Sequence, residues 1–102
     1  MNSVHNTEDF EKLKKWENKI FFQFCASWCM PCKKIKPELD KLCKTYTIYH
    51  VDIDELESVA DELGISSVPT IVLFENGICS QKRFVGSSVK LMNEFFSQFR
   101  VS

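Results

Sequence analysis

The dipeptide Asn76-Gly77 constrains the fold of this chain more than any other feature. It separates two runs rich in β-branched and aromatic residues, 70–75 and 78–85. Both residues tolerate the positive φ angles of a type I′ turn, which joins two antiparallel strands through two residues. The sequence therefore predicts a β-hairpin in the last third of the chain, and an antiparallel strand pair in the sheet.

Helical and strand patterns alternate through the rest of the chain. The predicted elements are an edge strand at 3–5, a helix from 6 or 7 to about 16, a strand over 19–26, a helix from 30 to about 46, a strand over 47–53, a helix over 57–63 and, after the hairpin, a helix that begins at 87 or 88. This order predicts an α/β fold, a central mixed β-sheet flanked by helices on both faces, built as one domain over 1–102.

Charge and composition argue against several classes of protein. The 13 basic residues nearly balance the 14 acidic ones, whereas nucleic-acid-binding domains normally carry a clear basic excess. The longest apolar runs, such as 70–74, are too short to span a bilayer, and residues 1–20 are charged throughout, unlike a secretory signal. Five cysteines at irregular spacing do not suggest a small secreted framework. We expect a cytoplasmic protein that acts as a monomer and binds neither nucleic acid nor membrane.

Two cysteines, Cys29 and Cys32, lie where a predicted buried strand meets the start of a predicted helix, with Pro31 in its first turn. The free N–H groups of a helix start favour a thiolate, the species that attacks disulfides, and three lysines follow within four positions. Two intervening residues let the sulfurs bond, so Cys32 can displace a substrate held covalently on Cys29. We predict Cys29, expected to be exposed, as nucleophile and Cys32 as resolving thiol, with a redox-active disulfide between them.

The same spacing is also half of a zinc site. Cys25, Cys29, Cys32 and Cys43 together could supply four sulfur ligands for zinc or an iron–sulfur cluster. However, a strand residue and a residue more than two turns down the helix are not expected to converge on the helix start. We therefore expect Cys25 and Cys43 to pack in the core as small hydrophobes, and Cys79 to lie at the surface of the hairpin. No metal and no cofactor is predicted.

The surroundings of the cysteine pair resemble the thioredoxin family. The resemblance covers the chain from about Asn6 to Phe99 and rests on Trp28-Cys29-Met30-Pro31-Cys32 after a strand, Val68-Pro69-Thr70, Asn76-Gly77 and Gly86. It implies the thioredoxin fold and the reduction of protein disulfides by dithiol–disulfide exchange, with a thioredoxin reductase as electron source. A dedicated electron donor to a peroxidase, and a thioredoxin-like domain that only binds partners or acts as a chaperone, are the alternatives.

The resemblance also implies a docking face for substrates. It assigns substrate contacts to Trp28, Met30, Pro31, Val68, Pro69, Val85 and Gly86. It further implies a cis bond between Val68 and Pro69, although most X-Pro bonds are trans. Trp28 could instead be a core residue.

Two residues behind the pair depart from the family pattern. Gln23 stands where thioredoxins usually carry a buried Asp behind the resolving cysteine, and His50 stands where many have Lys or Glu. The usual proton acceptor is therefore missing, and we predict that Cys32 loses its proton to water or to His50. Residues 77–86 are also one residue longer than is usual in the family, which predicts a bulge or a widened turn in the hairpin.

Overall fold

The computed structural model of the chain describes residues 1–100. Five strands are present in this part: β1 (Asn2–Val4), β2 (Lys19–Cys25), β3 (Ile48–Asp52), β4 (Thr70–Glu75) and β5 (Ile78–Val85). The four helices of the same part are α1 (Thr7–Leu13), α2 (Met30–Leu42), α3 (Glu57–Glu62) and α4 (Val89–Ser97). Within residues 1–100, no helix has the length and apolar character that crossing a membrane requires.

Strand β2 lies at the centre of a sheet with the order β1-β3-β2-β4-β5. It pairs in parallel with β3 and antiparallel with β4, and β1 adds the predicted edge strand beside β3. The hairpin of β4 and β5 is confirmed, since Asn76 (φ 53°) and Gly77 (φ 82°) both adopt the positive φ of a type I′ turn. A register shift between Val72 and Phe74 confirms the expected bulge.

Alternate residues of β2 point to opposite faces of the sheet. Phe22 packs against Phe10 of α1, in a cluster that α3 also joins. Phe21 packs on the other face, with Ile35 of α2 and Phe96 of α4. Helices therefore cover both faces, as predicted, and the odd-numbered residues of β2 lie on the face that α2 covers.

Two helices are shorter than the apolar spacing predicted. Helix α1 ends at Leu13, three residues before its predicted end, and Trp16 is 76% exposed. Helix α2 ends at Leu42, and Tyr46 belongs to the turn that follows, where its N–H donates to the Leu42 carbonyl at 2.8 Å. Apolar spacing therefore does not mark the ends of these helices, since Tyr46 still packs on the core from the following turn whereas Trp16 lies at the surface.

Candidate active site

The cysteine pair lies at the start of α2, directly after the loop that follows β2. The strand ends at Cys25, and the chain turns so that the N–H of Cys29 donates to the carbonyl of Ala26 at 3.1 Å. Cys29 is the N-cap residue of α2, in an extended conformation, and its Sγ accepts a hydrogen bond from the N–H of Cys32 at 3.3 Å. The structure thus confirms that the pair occupies a helix start, with Pro31 in the first turn.

Three sulfurs, not two, meet at this position. The Sγ atoms of Cys25, Cys29 and Cys32 all lie within 4.8 Å of one another. The disulfide of this structure joins Cys25 to Cys32 and leaves Cys29 as a thiol, which differs from the expected bond between Cys29 and Cys32. Cys25 is buried, as expected, but the expectation that it would not converge with the pair at the helix start is wrong. Its side chain lies on the sheet face that α2 covers, so the end of the strand and the start of the helix bring the sulfurs together.

Cys29 is also less accessible than predicted, with 3% of its surface exposed against 6% for Cys32. Its Sγ turns inward, where it caps the N–H of Cys32 and, as a thiol, donates to the carbonyl of Val68 at 3.8 Å. Exposure therefore does not distinguish the two cysteines. The distinction rests on the helix-capping position of Cys29 and on its free thiol.

Apolar side chains surround the pair at the surface. Trp28, Met30 and Val85 are 64%, 68% and 55% exposed. Trp28 is held outside the core, because its indole N–H donates to Asp54 Oδ2 at 3.0 Å. The alternative of Trp28 as a core residue is therefore wrong, and Pro31 is exposed beside it.

The segment before β4 completes this face. The bond between Val68 and Pro69 is cis, as the resemblance implied. Val68 is half-buried against the cysteines and Pro69 is buried. The N–H of Gly86 donates to the Pro69 carbonyl at 3.1 Å, which fixes the end of β5 next to this segment. The predicted docking residues are thus brought to the same end of the sheet as the three sulfurs.

Gln23, which is buried, and His50, which is half-buried, form a hydrogen-bonded chain that ends on a sulfur. Gln23 is 1% exposed, and its Nε2 donates to Cys25 Sγ at 2.9 Å. Its Oε1 must then be the acceptor for His50 Nδ1, which lies 2.9 Å away on the neighbouring strand. We expected Gln23 to lie behind Cys32, but the cysteine it contacts is Cys25. The sequence contains a signal for this contact, because positions 23 and 25 are two residues apart in a strand and therefore point to the same face of the sheet.

Burial lowers the pKa of His50 below its ordinary value; nearby Asp52 opposes this and Lys36 adds to it. The unfolded chain therefore takes up the imidazole proton at a higher pH than the folded chain does. Since the unfolded state then holds more protons, stability rises with pH in this range, and the contribution of neutral His50 is lost as pH falls below about 6.5.

We expect His50→Gln to reduce the loss of stability between about pH 7.5 and pH 5.5. The measurement is the free energy of urea unfolding at several pH values. His5→Gln is the matched control, because His5 lies at the surface beside Glu55. An equal pH slope in the unmodified chain and His50→Gln would show that His50 is not buried as a neutral base.

The four-sulfur metal site has only part of its ligand set in place. Among the described residues, the group of clustered ligands contains Cys25, Cys29 and Cys32 but not Cys43, which lies at the far end of α2. Two of the three sulfurs are bonded to each other and hold no charge for a metal. Zinc and iron–sulfur sites usually take four protein ligands, so the arrangement favours thiol chemistry.

Comparison with known proteins agrees with the fold and the cysteine cluster. The thioredoxin family model matches residues 2–97. The chain is 36% identical to thioredoxin Asp f 28 of Aspergillus fumigatus over 78 residues, 74% of this chain and 72% of that protein. It is 31% identical to thioredoxin-1 of Schizosaccharomyces pombe over 80 residues, 76% of this chain and 78% of that protein.

Solved thioredoxin structures superpose on nearly the whole chain. The thioredoxin of Fasciola hepatica matches with a TM-score of 0.85 and 29% identity over 96% of this chain and 98% of that one. The thioredoxin of Malassezia sympodialis matches with a TM-score of 0.86 and 28% identity over 95% of this chain and 90% of that one. Sequence, fold and the cysteines at the helix start agree, so the chain belongs to the thioredoxin family and is a thiol–disulfide oxidoreductase, a protein-disulfide reductase.

Proposed function

We propose that the chain reduces disulfides of other proteins with Cys29 as the attacking thiol and Cys32 as the resolving thiol. The observation that carries this assignment is the geometry of Cys29. It is the free thiol of the cluster, it caps α2, and its Sγ accepts the N–H of Cys32 at 3.3 Å. A backbone N–H aimed at sulfur and the positive end of a helix both stabilise negative charge there.

The reaction begins when the Cys29 thiolate attacks one sulfur of a substrate disulfide. A bond forms between Cys29 Sγ and that sulfur, and the other substrate sulfur leaves as a thiolate. Cys32 then attacks Cys29 Sγ, which releases the reduced substrate and leaves a disulfide between Cys29 and Cys32. Since Cys32 must be a thiol for this step, the cycle starts from the form in which the bond to Cys25 has been reduced.

The docking face could bind an extended segment of a substrate protein. Trp28, Met30 and Val85 offer exposed apolar surface on both sides of the cysteines. The backbone of Val68 lies within reach of Cys29 Sγ, so a substrate strand bound along 68–69 would bring its disulfide to the nucleophile. We assign Pro31, Pro69 and Gly86 to the same face.

The electron source that fits this chemistry is a thioredoxin reductase, for which dithiothreitol can substitute in an assay. Five cysteines, an odd number at irregular spacing, fit a reducing compartment such as the cytoplasm. We further propose that the chain acts as a monomer on protein substrates.

A second candidate role is the supply of electrons to a peroxidase. One matching structure comes from a study of thiol resolution in a yeast mitochondrial 1-Cys peroxiredoxin through the glutathione and thioredoxin systems, with a TM-score of 0.86 and 26% identity over 96% of this chain and 94% of that one. The test is peroxide consumption by a peroxiredoxin supplied with this chain and dithiothreitol. A rate no higher than with dithiothreitol alone would exclude this role.

Trapping of substrates tests the assignment of the two thiols. In Cys32→Ser the first attack should still occur and the mixed disulfide on Cys29 should persist. The variant should also carry Cys25→Ser, because Cys25 Sγ lies within 4.8 Å of Cys29 Sγ and could displace the substrate instead. We expect the double variant to accumulate a covalent adduct with insulin that dithiothreitol reverses, seen on non-reducing gels. An equal amount of adduct after Cys29→Ser is added would contradict the assignment.

A further inference from the structure

The resolving cysteine has two partners within reach. Cys32 is bonded to Cys25 in this structure, while Cys29 Sγ lies within 4.8 Å of both sulfurs. The Cα atoms of Cys25 and Cys32 are 6.0 Å apart, inside the usual range for disulfides. A chain with one disulfide at Cys32 can therefore pair this cysteine with either Cys25 or Cys29 at the same oxidation state.

We propose that Cys25 is a third redox cysteine, which replaces Cys29 as the disulfide partner of Cys32 after each round of substrate reduction. This inference rests on the proposed function. In the step, the Cys25 thiolate attacks Cys32 Sγ in the disulfide between Cys29 and Cys32. The bond between Cys25 and Cys32 forms, the bond between Cys29 and Cys32 breaks, and Cys29 leaves as a thiolate. One thiolate and one disulfide enter the step and one of each leaves it, so no oxidant or reductant is consumed.

Gln23 prepares Cys25 for this attack. Its Nε2 donates to Cys25 Sγ at 2.9 Å, and its own orientation is fixed by His50 Nδ1 at 2.9 Å. A hydrogen bond donated to sulfur favours the thiolate over the thiol. A cysteine that only filled space in the core would need no such donor. The proton that Cys25 gives up can leave through a cavity of about 300 Å³ that Gln23, Cys25, Cys32 and His50 line, and the departing Cys29 thiolate can take one up.

The exchange moves the stored disulfide away from the docking face. A bond between Cys29 and Cys32 lies next to the bound partner, where a thiol of the released product can attack it and reverse the reaction. After the exchange Cys29 is again a thiol beside Val68, and the disulfide joins Cys32 to a sulfur at the end of β2, beside Gln23, which is not the sulfur that carried the substrate. Each tenfold preference for the bond to Cys25 would make the reduction potential about 30 mV more negative.

A disulfide map of the protein after turnover tests this directly. The reduced chain, freed of reductant, is allowed to react with excess insulin, quenched in acid, labelled with N-ethylmaleimide in denaturant and digested with chymotrypsin. Chymotrypsin cleaves after Trp28, so a bond between Cys25 and Cys32 links two peptides and leaves Cys29 labelled. A bond between Cys29 and Cys32 stays inside one peptide and leaves Cys29 unlabelled.

We expect the linked peptides to exceed the internal loop at least tenfold. In Cys25→Ser or Cys25→Ala the loop should replace them, and the reduction potential measured against a glutathione couple should be about 30 mV or more less negative. Cys43→Ser is the control and should give the map of the unmodified chain.

The internal loop as the major product of the unmodified chain would overturn the inference, as would an equal potential in Cys25→Ser. In either case, insulin reduction that still requires Cys29 would leave the proposed function standing. Insulin reduction that persists in Cys29→Ser would instead remove the proposed function itself.

Discussion

Replacing Cys29 with serine is expected to abolish the catalysis of insulin reduction, so that only the rate at which dithiothreitol reduces insulin by itself remains. A serine hydroxyl cannot form a disulfide, and neither Cys25 nor Cys32 occupies the N-cap of α2, the position where the helix start favours a thiolate. Because Cys29 is the N-cap of α2 and serine is a favoured N-cap residue, the variant should fold with about the stability of the unmodified chain. The loss would therefore report chemistry and not unfolding, which urea unfolding of the same sample can check.

Cys43→Ser is the matched control for this experiment. Cys43 lies at the other end of α2, outside the sulfur cluster, and burial raises the pKa of its thiol, so it should contribute little reactivity. We expect this variant to keep full activity. Unchanged insulin reduction in Cys29→Ser would place the nucleophile elsewhere. A Cys29→Ser chain that lost reduction but still bound its partners and supported its cellular role would favour the partner-binding alternative.

Replacing Gln23 with aspartate is expected to lower the free energy of unfolding by about 1–3 kcal/mol at neutral pH, the usual scale for a poorly satisfied buried polar group. Gln23 is 1% exposed, donates to Cys25 Sγ and accepts from His50. The shorter aspartate loses the donor and places a desolvated negative charge beside a buried sulfur. Urea unfolding measures the effect. Gln23→Asn is the control, because asparagine has the shape of aspartate without its charge.

The same pair of variants should differ in pH dependence. Burial should raise the pKa of the introduced carboxyl above its reference value near 3.9, so the folded state holds its proton to a higher pH than the unfolded state does. Since the folded state then holds more protons, stability should fall as pH rises through this range. We expect Gln23→Asp to approach Gln23→Asn in stability near pH 4. If Gln23→Asp and Gln23→Asn were equally stable at pH 7, His50 would be compensating the charge of the introduced carboxylate.

The cysteine pair shows how far local patterns extend. Cys29 and Cys32 could be placed on a helix start because the strand before them, Pro31 and the apolar spacing after them are all readable along the chain. The accessibility of Cys29 could not be predicted. It depends on the turn that follows Cys25 and on Val68, whose carbonyl comes within 3.8 Å of Cys29 Sγ only after β4 has paired with β2.

The sequence by itself determined the hairpin at Asn76-Gly77 and the position of the redox pair, because each depends on residues that are neighbours along the chain, and the order of the elements was enough to predict a mixed sheet. Tertiary structure alone decided that the Cys25 sulfur lies beside the pair and that Gln23 donates a hydrogen bond to this sulfur. Both depend on which face of β2 the helix α2 covers, and on His50 arriving beside Gln23 through the parallel register of β2 and β3. Strand periodicity puts positions 23 and 25 on one face, but only the packing of the helix shows that this face carries the chemistry.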